Sequence, residues 1–179
     1  SIADPVDGDF DDWFELFNPG STEADLSGYS LTDNLTNSVR FDIPNGTRIP
    51  AGGFLLVWAD EETGQNGRSA DLHVNFKLAL AGEEIGLFAP DGSVVNSVTF
   101  GSQTNDVSQG RFPDAGAPPF EFLEIPTPRE PNLIPGGNQP PLLAPLGARS
   151  VNEGVALTFV ATATDLENQS LTFSLGACA

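Results

Sequence analysis

The sequence has few of the residues on which several common chemistries depend. Cys178 is the only cysteine among the 179 residues, so the chain forms no internal disulfide and no cysteine-based zinc site. His73 is the only histidine, and there is no methionine. No stretch matches the G-x-S-x-G, G-x-G-x-x-G or G-x-x-x-x-G-K-S motif. The sequence therefore gives no support to a serine hydrolase or to an enzyme that uses a nucleotide cofactor.

Basic residues are also scarce. Seven Lys and Arg stand against 25 Asp and Glu, which gives a formal charge of −18. Because nucleic-acid binding depends largely on Lys and Arg that displace counterions, we expect no nucleic-acid partner. No apolar run approaches the ~20 residues that span a bilayer, so we predict no membrane span in this segment. The first residues lack a signal-peptide pattern, which fits a cytosolic protein or one whose signal was removed or lies outside this segment.

Glycine, proline and β-forming residues are abundant. The 19 Gly and 15 Pro gather with Asn and Asp in short stretches that separate apolar runs, and no run keeps a helical period. This pattern predicts a soluble all-β protein, an antiparallel sandwich or barrel. Asp91-Gly92 between two of the runs predicts a hairpin. The runs are WFELF (13–17), YSL (29–31), FLLVWA (54–59), LHVNFKL (72–78), EIGLFA (84–89), VVNSVTF (94–100) and FEFLEI (120–125).

Proline divides the chain into parts. We predict a β domain over residues 1–125, a Pro/Gly-rich linker over 126–141 and a second β domain over 142–179. In the second domain Leu157, Phe159 and Ala161 alternate with polar and small residues, as in a strand. Only about 38 residues remain there, too few for an independent sandwich, so we expect this domain to be truncated.

An acidic segment precedes the first apolar run. Asp7, Asp9 and Asp11 have the D-x-D-x-D spacing that directs alternate carboxylates towards one hard cation, which makes them a candidate Ca²⁺ site. The alternative is a solvated acidic loop, since Asp12 and Asn18 replace the Gly and Glu of an EF-hand. Paired carboxylates also occur in glycosidases, but clustered acids on one loop do not form such a pair.

Four single residues are candidates for a structural, catalytic or binding role. We interpret Glu15 as a structural acceptor of hydrogen bonds near a strand edge, with Phe14 and Leu16 on the opposite face. Alternation in LHVNFKL places His73 on the exposed or half-exposed face. Trp58 lies in a run apolar throughout and is expected in the core. Trp13 lies at the acidic end of its run, so we predict a partly exposed surface contact there.

Five motifs occur in the order found in one known family. The chain resembles the lamin-tail domain over about residues 1–132, and most closely the bacterial versions found in secreted or surface proteins. The resemblance implies an immunoglobulin-like antiparallel β-sandwich, and a first strand that precedes Ser1. The motifs are WFELFNPG (13–20), DLSGYSLTDN (25–34), IPAGGFLLVWAD (49–60), LHVNFKLALAGEEIGLFAPDG (72–92) and SVTFGSQTNDVSQGRFPD (97–114).

The segment from NQPPLLAPLG through VNEGVALTFVATATD resembles the start of bacterial immunoglobulin-like or cadherin-like repeats. This second resemblance implies export and places Glu153, Asp165 and Glu167 where cadherin-type repeats supply calcium ligands. We therefore predict a non-catalytic interaction or scaffolding module of a secreted or cell-surface bacterial multidomain protein. Its partners would be other domains of the chain, surface proteins or glycans. The alternatives are an accessory domain of an extracellular hydrolase, acting on polysaccharide or as a nuclease, and a calcium-dependent adhesion module.

Overall fold

The computed structural model describes residues 2–36, 41–134, 141–147, 150–165 and 170–174. The chain divides into two compact units, Ser1–Ile134 and Pro135–Ala179. The first unit is an immunoglobulin-like β-sandwich whose strand pairs are antiparallel except for that of Phe54–Ala59 with Leu72–His73, which confirms the predicted fold class. In the described ranges, no helix has the length and apolar character needed to cross a bilayer.

Two sheets form the body of the sandwich. One has the strand order β1-β6-β7 and the other β4-β3-β8-β9, while β2-β5 and β10-β11 form smaller pairs. A 3₁₀ turn over Thr63–Gln65 lies between β6 and β7. The strands of this unit are β1 Asp12–Phe17, β2 Ala24–Asp25, β3 Ser30–Thr32, β4 Phe41–Asp42, β5 Arg48–Ile49, β6 Phe54–Ala59, β7 Leu72–His73, β8 Glu83–Phe88, β9 Val94–Phe100, β10 Ser108–Gly110 and β11 Glu121–Leu123.

The strand register follows from the turns and from the buried runs. β8 and β9 are antiparallel neighbours joined through Asp91-Gly92, and Gly92 has the positive φ of 82° that such a reversal requires, so the predicted hairpin is confirmed. β1 pairs with β6 and places Trp13 opposite Trp58. β7 runs parallel to β6, with His73 beside Trp58. Parallel strands are usually covered on both faces, and this applies to β7.

The hydrophobic core lies against β6. Leu55, Val57 and Ala59 face the main cluster, whereas Leu56 and Trp58 point to the other side of the strand and are buried as well. A strand apolar at every position thus has both faces covered, which confirms the prediction for Trp58. The buried members of the main cluster are Leu26, Leu31, Phe41, Ile43, Ile49, Leu55, Val57, Ala59, Leu72, Val74 and Phe76.

Residues 126–134 differ from the linker that proline content predicts. They belong to the first compact unit, and Ile125 forms an antiparallel bridge with Leu133. The Arg129 guanidinium binds Asp71, which in turn accepts a hydrogen bond from the Trp58 indole. Proline prevents a regular ladder here but not packing, because side chains attach the segment to the sandwich.

The second unit contains two short strands in its described part. β12 Leu142–Leu143 pairs antiparallel with β13 Ala163–Thr164. The strand predicted around Leu157, Phe159 and Ala161 is not formed, and Leu157 and Phe159 are exposed. Alternation alone does not form a strand, because a strand also needs a neighbouring strand to pair with and a face to bury against.

A buried aspartate-histidine cluster as the candidate functional site

His73 lies in the interior, so the predicted exposed or half-exposed position is wrong. Its side chain is 0% exposed, and the neighbouring Leu72 and Val74 are buried too. The Asn66 side chain holds the His73 backbone by donating to its carbonyl oxygen (2.7 Å) and accepting from its N–H (3.0 Å). Alternation fails here because β7 is covered on both faces, by the core on one and by a loop that contains Asp4 on the other.

Asp60 directly follows β6 and is the nearest partner of the imidazole. Its Oδ2 lies 2.6 Å from His73 Nδ1, and its Oδ1 accepts a hydrogen bond of 2.8 Å from the Glu62 N–H. Asp60 is 4% exposed. One carboxylate oxygen is thus held by the backbone while the other is directed at the histidine.

Asp4 reaches the same histidine from the N-terminal loop, here meaning residues 3–11. Its Oδ2 lies 3.5 Å from His73 Nδ1, and its Oδ1 accepts a 2.8 Å hydrogen bond from the Val6 N–H. The loop closes on itself through bonds from the Asp4 N–H to the Asp9 carbonyl and from the Gly8 N–H to the Asp4 carbonyl. Gly8 has φ +90°, which allows this reversal. Asp4 is 1% exposed although its neighbours in the loop are largely exposed.

The three side chains form a compact group, the Asp4–Asp60–His73 cluster. One ligand atom from each lies within 4.8 Å of the others. Within the described residues, Asp4 Oδ2 and His73 Nε2 are buried without a hydrogen-bond partner. Two carboxylates and an imidazole are ligands typical of a divalent transition-metal ion, so the cluster is a candidate metal centre.

Further acids surround this end of the sandwich. Burial, together with the Asp60 charge, raises the pKa of Asp11. A side-chain hydrogen bond with Asp7 raises the pKa of Glu62, and the amide of Gln65 donates to both of these carboxyls. The exposed Asp7 itself has a lowered pKa, mainly because it accepts the Asp9 N–H. The field at this end is strongly negative and favours cations.

The residues predicted to hold calcium lie in this loop. Asp7 and Asp9 are exposed and Asp11 is half-buried. Asp7 uses Oδ1 for the Asp9 N–H and Oδ2 for the Gln65 amide, so both of its oxygens already have partners. The calcium site at Asp7, Asp9 and Asp11 stays a prediction, whereas the buried ligand atoms of this region belong to Asp4, Asp60 and His73.

A second buried polar network joins β6, the residue just before β7 and the segment 126–134. Trp58 Nε1 donates to Asp71 Oδ2 (3.0 Å), and Arg129 donates to both oxygens of Asp71, at 2.5 and 3.3 Å. The Arg129 N–H also donates to Glu15 Oε2 (2.6 Å), as expected for an acceptor at a strand edge. Phe14 and Leu16 pack against the core, as predicted. Burial raises the pKa of Glu15 to about 7, although the Arg129 N–H acts in the opposite direction.

The remaining residues named from the sequence are Trp13 in the first unit and four positions in the second unit. Trp13 is half-buried, and its predicted surface contact stays a prediction. Glu153 is exposed, Asp165 follows β13, and Glu167 and Cys178 lie outside the described residues.

Sequence reasoning missed Asp60, Asp71 and Arg129 as site residues. Asp60 ends a fully apolar strand, and Asp71 directly precedes the apolar run in which His73 lies. Polar residues that continue a buried run need partners, and this was the available signal. Arg129 gave none, because its partner Asp71 is 58 positions earlier and the segment between them contains many turns.

Comparison with known families supplies the identity of the first unit. A family model described as Lamin Tail Domain matches residues 2–102, more than half of the chain. Searches of curated proteins and of solved structures found no match. Lamin tail domains are immunoglobulin-like interaction domains with a non-enzymatic fold, which agrees with the sandwich described above. The chain belongs to the lamin tail domain family.

Proposed function

We propose that the chain is a non-catalytic interaction module of a secreted or cell-surface bacterial multidomain protein, and that it holds an extended protein segment against the edge of its four-stranded sheet. Family membership supports the interaction role. The location is inferred only from the sequence resemblance to lamin-tail domains of bacterial secreted or surface proteins. The observation that carries the binding mode is the edge strand β9.

β9 has the properties of a strand that accepts a partner strand. It ends the order β4-β3-β8-β9, so within the described residues it has a neighbour on one side. Its seven residues, VVNSVTF, include no charge and no proline, two of the features by which edge strands block pairing, and its register shift, at Val94–Asn96, lies near the start of the strand. Val94 and Val95 are 57% and 51% exposed. A backbone edge with exposed apolar side chains favours β-strand addition.

The charge around β9 indicates the chemistry of the partner. Glu83 and Glu84 lie opposite Phe100 and Thr99 at one end of the strand, and Asp91 lies in the turn at the other end. The chain as a whole carries a formal charge of −18. A segment with alternating apolar residues between flanking Lys or Arg would therefore be attracted at both ends.

Peptide binding tests this mode directly. Fluorescence anisotropy would compare three peptides that share one alternating apolar stretch and carry flanking Lys, Ser or Glu. We expect the Lys-flanked peptide to bind most tightly and to weaken as salt is raised. Ser97→Lys on β9 should weaken binding about tenfold or more, because a charged side chain on an edge opposes pairing. Ser21→Lys, which adds the same charge at an exposed position outside β9, is the control.

Equal affinity for the three peptides, or equal losses in Ser97→Lys and Ser21→Lys, would contradict the binding mode. The location is tested separately by treating intact cells of the native host with a protease. Cleavage of this module on intact cells, with a cytosolic marker left uncut, is expected. Cleavage only after lysis would contradict a cell-surface location, and the culture medium would be assayed for a secreted form.

A further inference from the structure

We propose that the Asp4–Asp60–His73 cluster binds one divalent transition-metal ion of the zinc type and thereby fixes the N-terminal loop to β6 and β7. We assign as ligand atoms the three that lie nearest to one another, Oδ2 of both aspartates and Nδ1 of the histidine. This site is separate from the β9 edge and does not depend on the proposed partner.

Outer hydrogen bonds already orient the two aspartate ligands and hold the backbone of the histidine. In each aspartate Oδ1 accepts a backbone N–H, from Val6 for Asp4 and from Glu62 for Asp60. Both Oδ2 atoms are thereby left directed at the histidine, whose backbone Asn66 fixes from both sides. Metal sites characteristically hold their ligands through such outer partners.

The spacing suits a small ion. Ligand atoms bound to tetrahedral zinc at ~2.0–2.2 Å lie about 3.3–3.6 Å apart. The distance from His73 Nδ1 to Asp4 Oδ2, 3.5 Å, lies in that range, whereas the distance to Asp60 Oδ2, 2.6 Å, is shorter. Binding of an ion therefore requires only a small increase in the Asp60–His73 distance. A small shift of the N-terminal loop would adjust the position of Asp4.

A buried carboxylate oxygen without a hydrogen-bond partner is suited to bind a cation. Asp4 Oδ2 is such an oxygen in the part of the chain that the structure describes. Asp4 and Asp60 both form an ion pair with His73, and one imidazolium cannot neutralise two carboxylates. A divalent cation with a neutral imidazole would balance the charge completely, and buried carboxylates require such compensation.

The nitrogen ligand selects the class of metal. Calcium and magnesium prefer oxygen ligands alone, and calcium takes six to eight of them. One imidazole with two carboxylates is a set that zinc accepts, with a remaining position for water. The inferred role is structural. The ion attaches the N-terminal loop, which is otherwise largely exposed, to β6 and β7, and it orders the acidic end of the sandwich.

The full chain, prepared without a polyhistidine tag and stripped with a chelator, gives the first test. Titration with Zn²⁺ followed by elemental analysis is expected to give one ion per chain. Asp4→Asn and Asp60→Asn each keep the oxygen that accepts the backbone N–H, so both variants should fold. Each should lower zinc affinity by at least about 100-fold, since loss of even an outer partner typically costs 10–100-fold. Asp9→Asn, in the same loop, should bind as the original chain does.

The single histidine gives a second test that is independent of affinity. With ¹⁵N-histidine labelling, every imidazole signal of the chain belongs to His73. Stoichiometric Zn²⁺ should shift the Nδ1 resonance in the original chain and in Asp9→Asn, and should leave it unchanged in Asp4→Asn. No zinc binding at micromolar metal, or zinc binding that both Asn variants retain with an unshifted Nδ1 resonance, would overturn the proposal.

Discussion

Two buried aspartates, Asp60 and Asp71, flank the neighbouring strands β6 and β7 and have contrasting surroundings. Asp71 lies just before β7 and is held by Trp58 and by the guanidinium of Arg129, a permanent cation. Asp60 lies just after β6 and faces His73, with a second carboxylate, Asp4, on the other side. In the Asp71 network the Arg129 cation balances the charge of the Asp71 carboxylate. In the Asp4–Asp60–His73 cluster two carboxylates share one histidine, which leaves an excess of negative charge.

This difference separates a structural contact from a ligand site. Arginine stays protonated and offers a planar fork that satisfies both oxygens of one carboxylate, so nothing further is needed at Asp71. Histidine offers one nitrogen to two carboxylates, and among the described residues a buried oxygen of Asp4 is left without a hydrogen-bond partner. We therefore assign attachment of residues 126–134 to the first network and cation binding to the second.

The largest effect is expected from breaking the Asp71 network. Arg129→Met should lower the free energy of unfolding by about 3 kcal/mol, because it leaves the buried Asp71 carboxylate unpaired. The side chain of Arg129 is 47% exposed, which places this value at the lower end of the usual range. Urea unfolding monitored by tryptophan fluorescence measures the change.

Arg48→Met is the matched control for that substitution. Arg48 also binds two carboxyl groups, those of Glu23 and Asp25, but all three side chains are about half exposed. Exposed ion pairs contribute little to stability, so the control should change unfolding far less. Equal losses in the two variants would contradict the structural role of Arg129.

The same chemical change should act in opposite directions in the two networks. In the presence of a chelator, Asp71→Asn should destabilise the protein by about 2 kcal/mol, because it removes the charge that Arg129 pairs with. Asp4→Asn should stabilise the protein by up to about 1 kcal/mol, because it removes one of two like charges beside His73. Urea denaturation of both variants at one pH gives the comparison, and destabilisation by both would remove the distinction.

The sequence was sufficient to predict the elements that local patterns determine. The Asp91-Gly92 hairpin, the doubly covered β6 and the acceptor role of Glu15 each follow from turn chemistry or from the character of a single strand. The order of the motifs also led to the correct family and fold. Such features need no knowledge of which distant segments meet.

The candidate site was not predictable in the same way, because distant segments cover it. Alternation assigns His73 to an exposed face unless one knows that β7 is parallel to β6 and that Asp4 folds over it. The Arg129 N–H donates a hydrogen bond to Glu15, which lies 114 positions earlier, and the proline-rich sequence around Arg129 is typical of a linker. Nothing local identifies such a contact.

Titration of Glu15, which accepts the Arg129 N–H, should make the stability of the protein depend on pH. Since its pKa is raised from 4.5 to about 7 in the folded protein, the protonated form is the one that folding favours. Its stabilising contribution is complete below about pH 4.5 and is lost as the pH rises through about 7. Glu15→Gln should match the original protein at pH 4.5 and exceed its stability by about 2 kcal/mol at pH 8, a value reduced for the remaining solvent contact.

Urea unfolding across this pH range measures the Glu15 effect as a difference between the two proteins. Glu130→Gln removes one charge from an exposed neighbour of Arg129 and serves as the control. A stability gain in Glu15→Gln that does not change with pH would show that the effect is not due to titration of Glu15.

The smallest effect is expected from calcium at Asp7, Asp9 and Asp11. Because this loop is exposed and Asp7 already accepts two hydrogen bonds, we expect weak binding, and a rise in melting temperature of about 2 °C in millimolar Ca²⁺ relative to EDTA. Asp9→Asn should abolish this rise and leave the zinc response intact, whereas Asp4→Asn should do the reverse. Differential scanning fluorimetry with each metal measures both responses. If Ca²⁺ causes no shift, the acidic loop is solvated and the buried cluster is left as the cation site of this end of the sandwich.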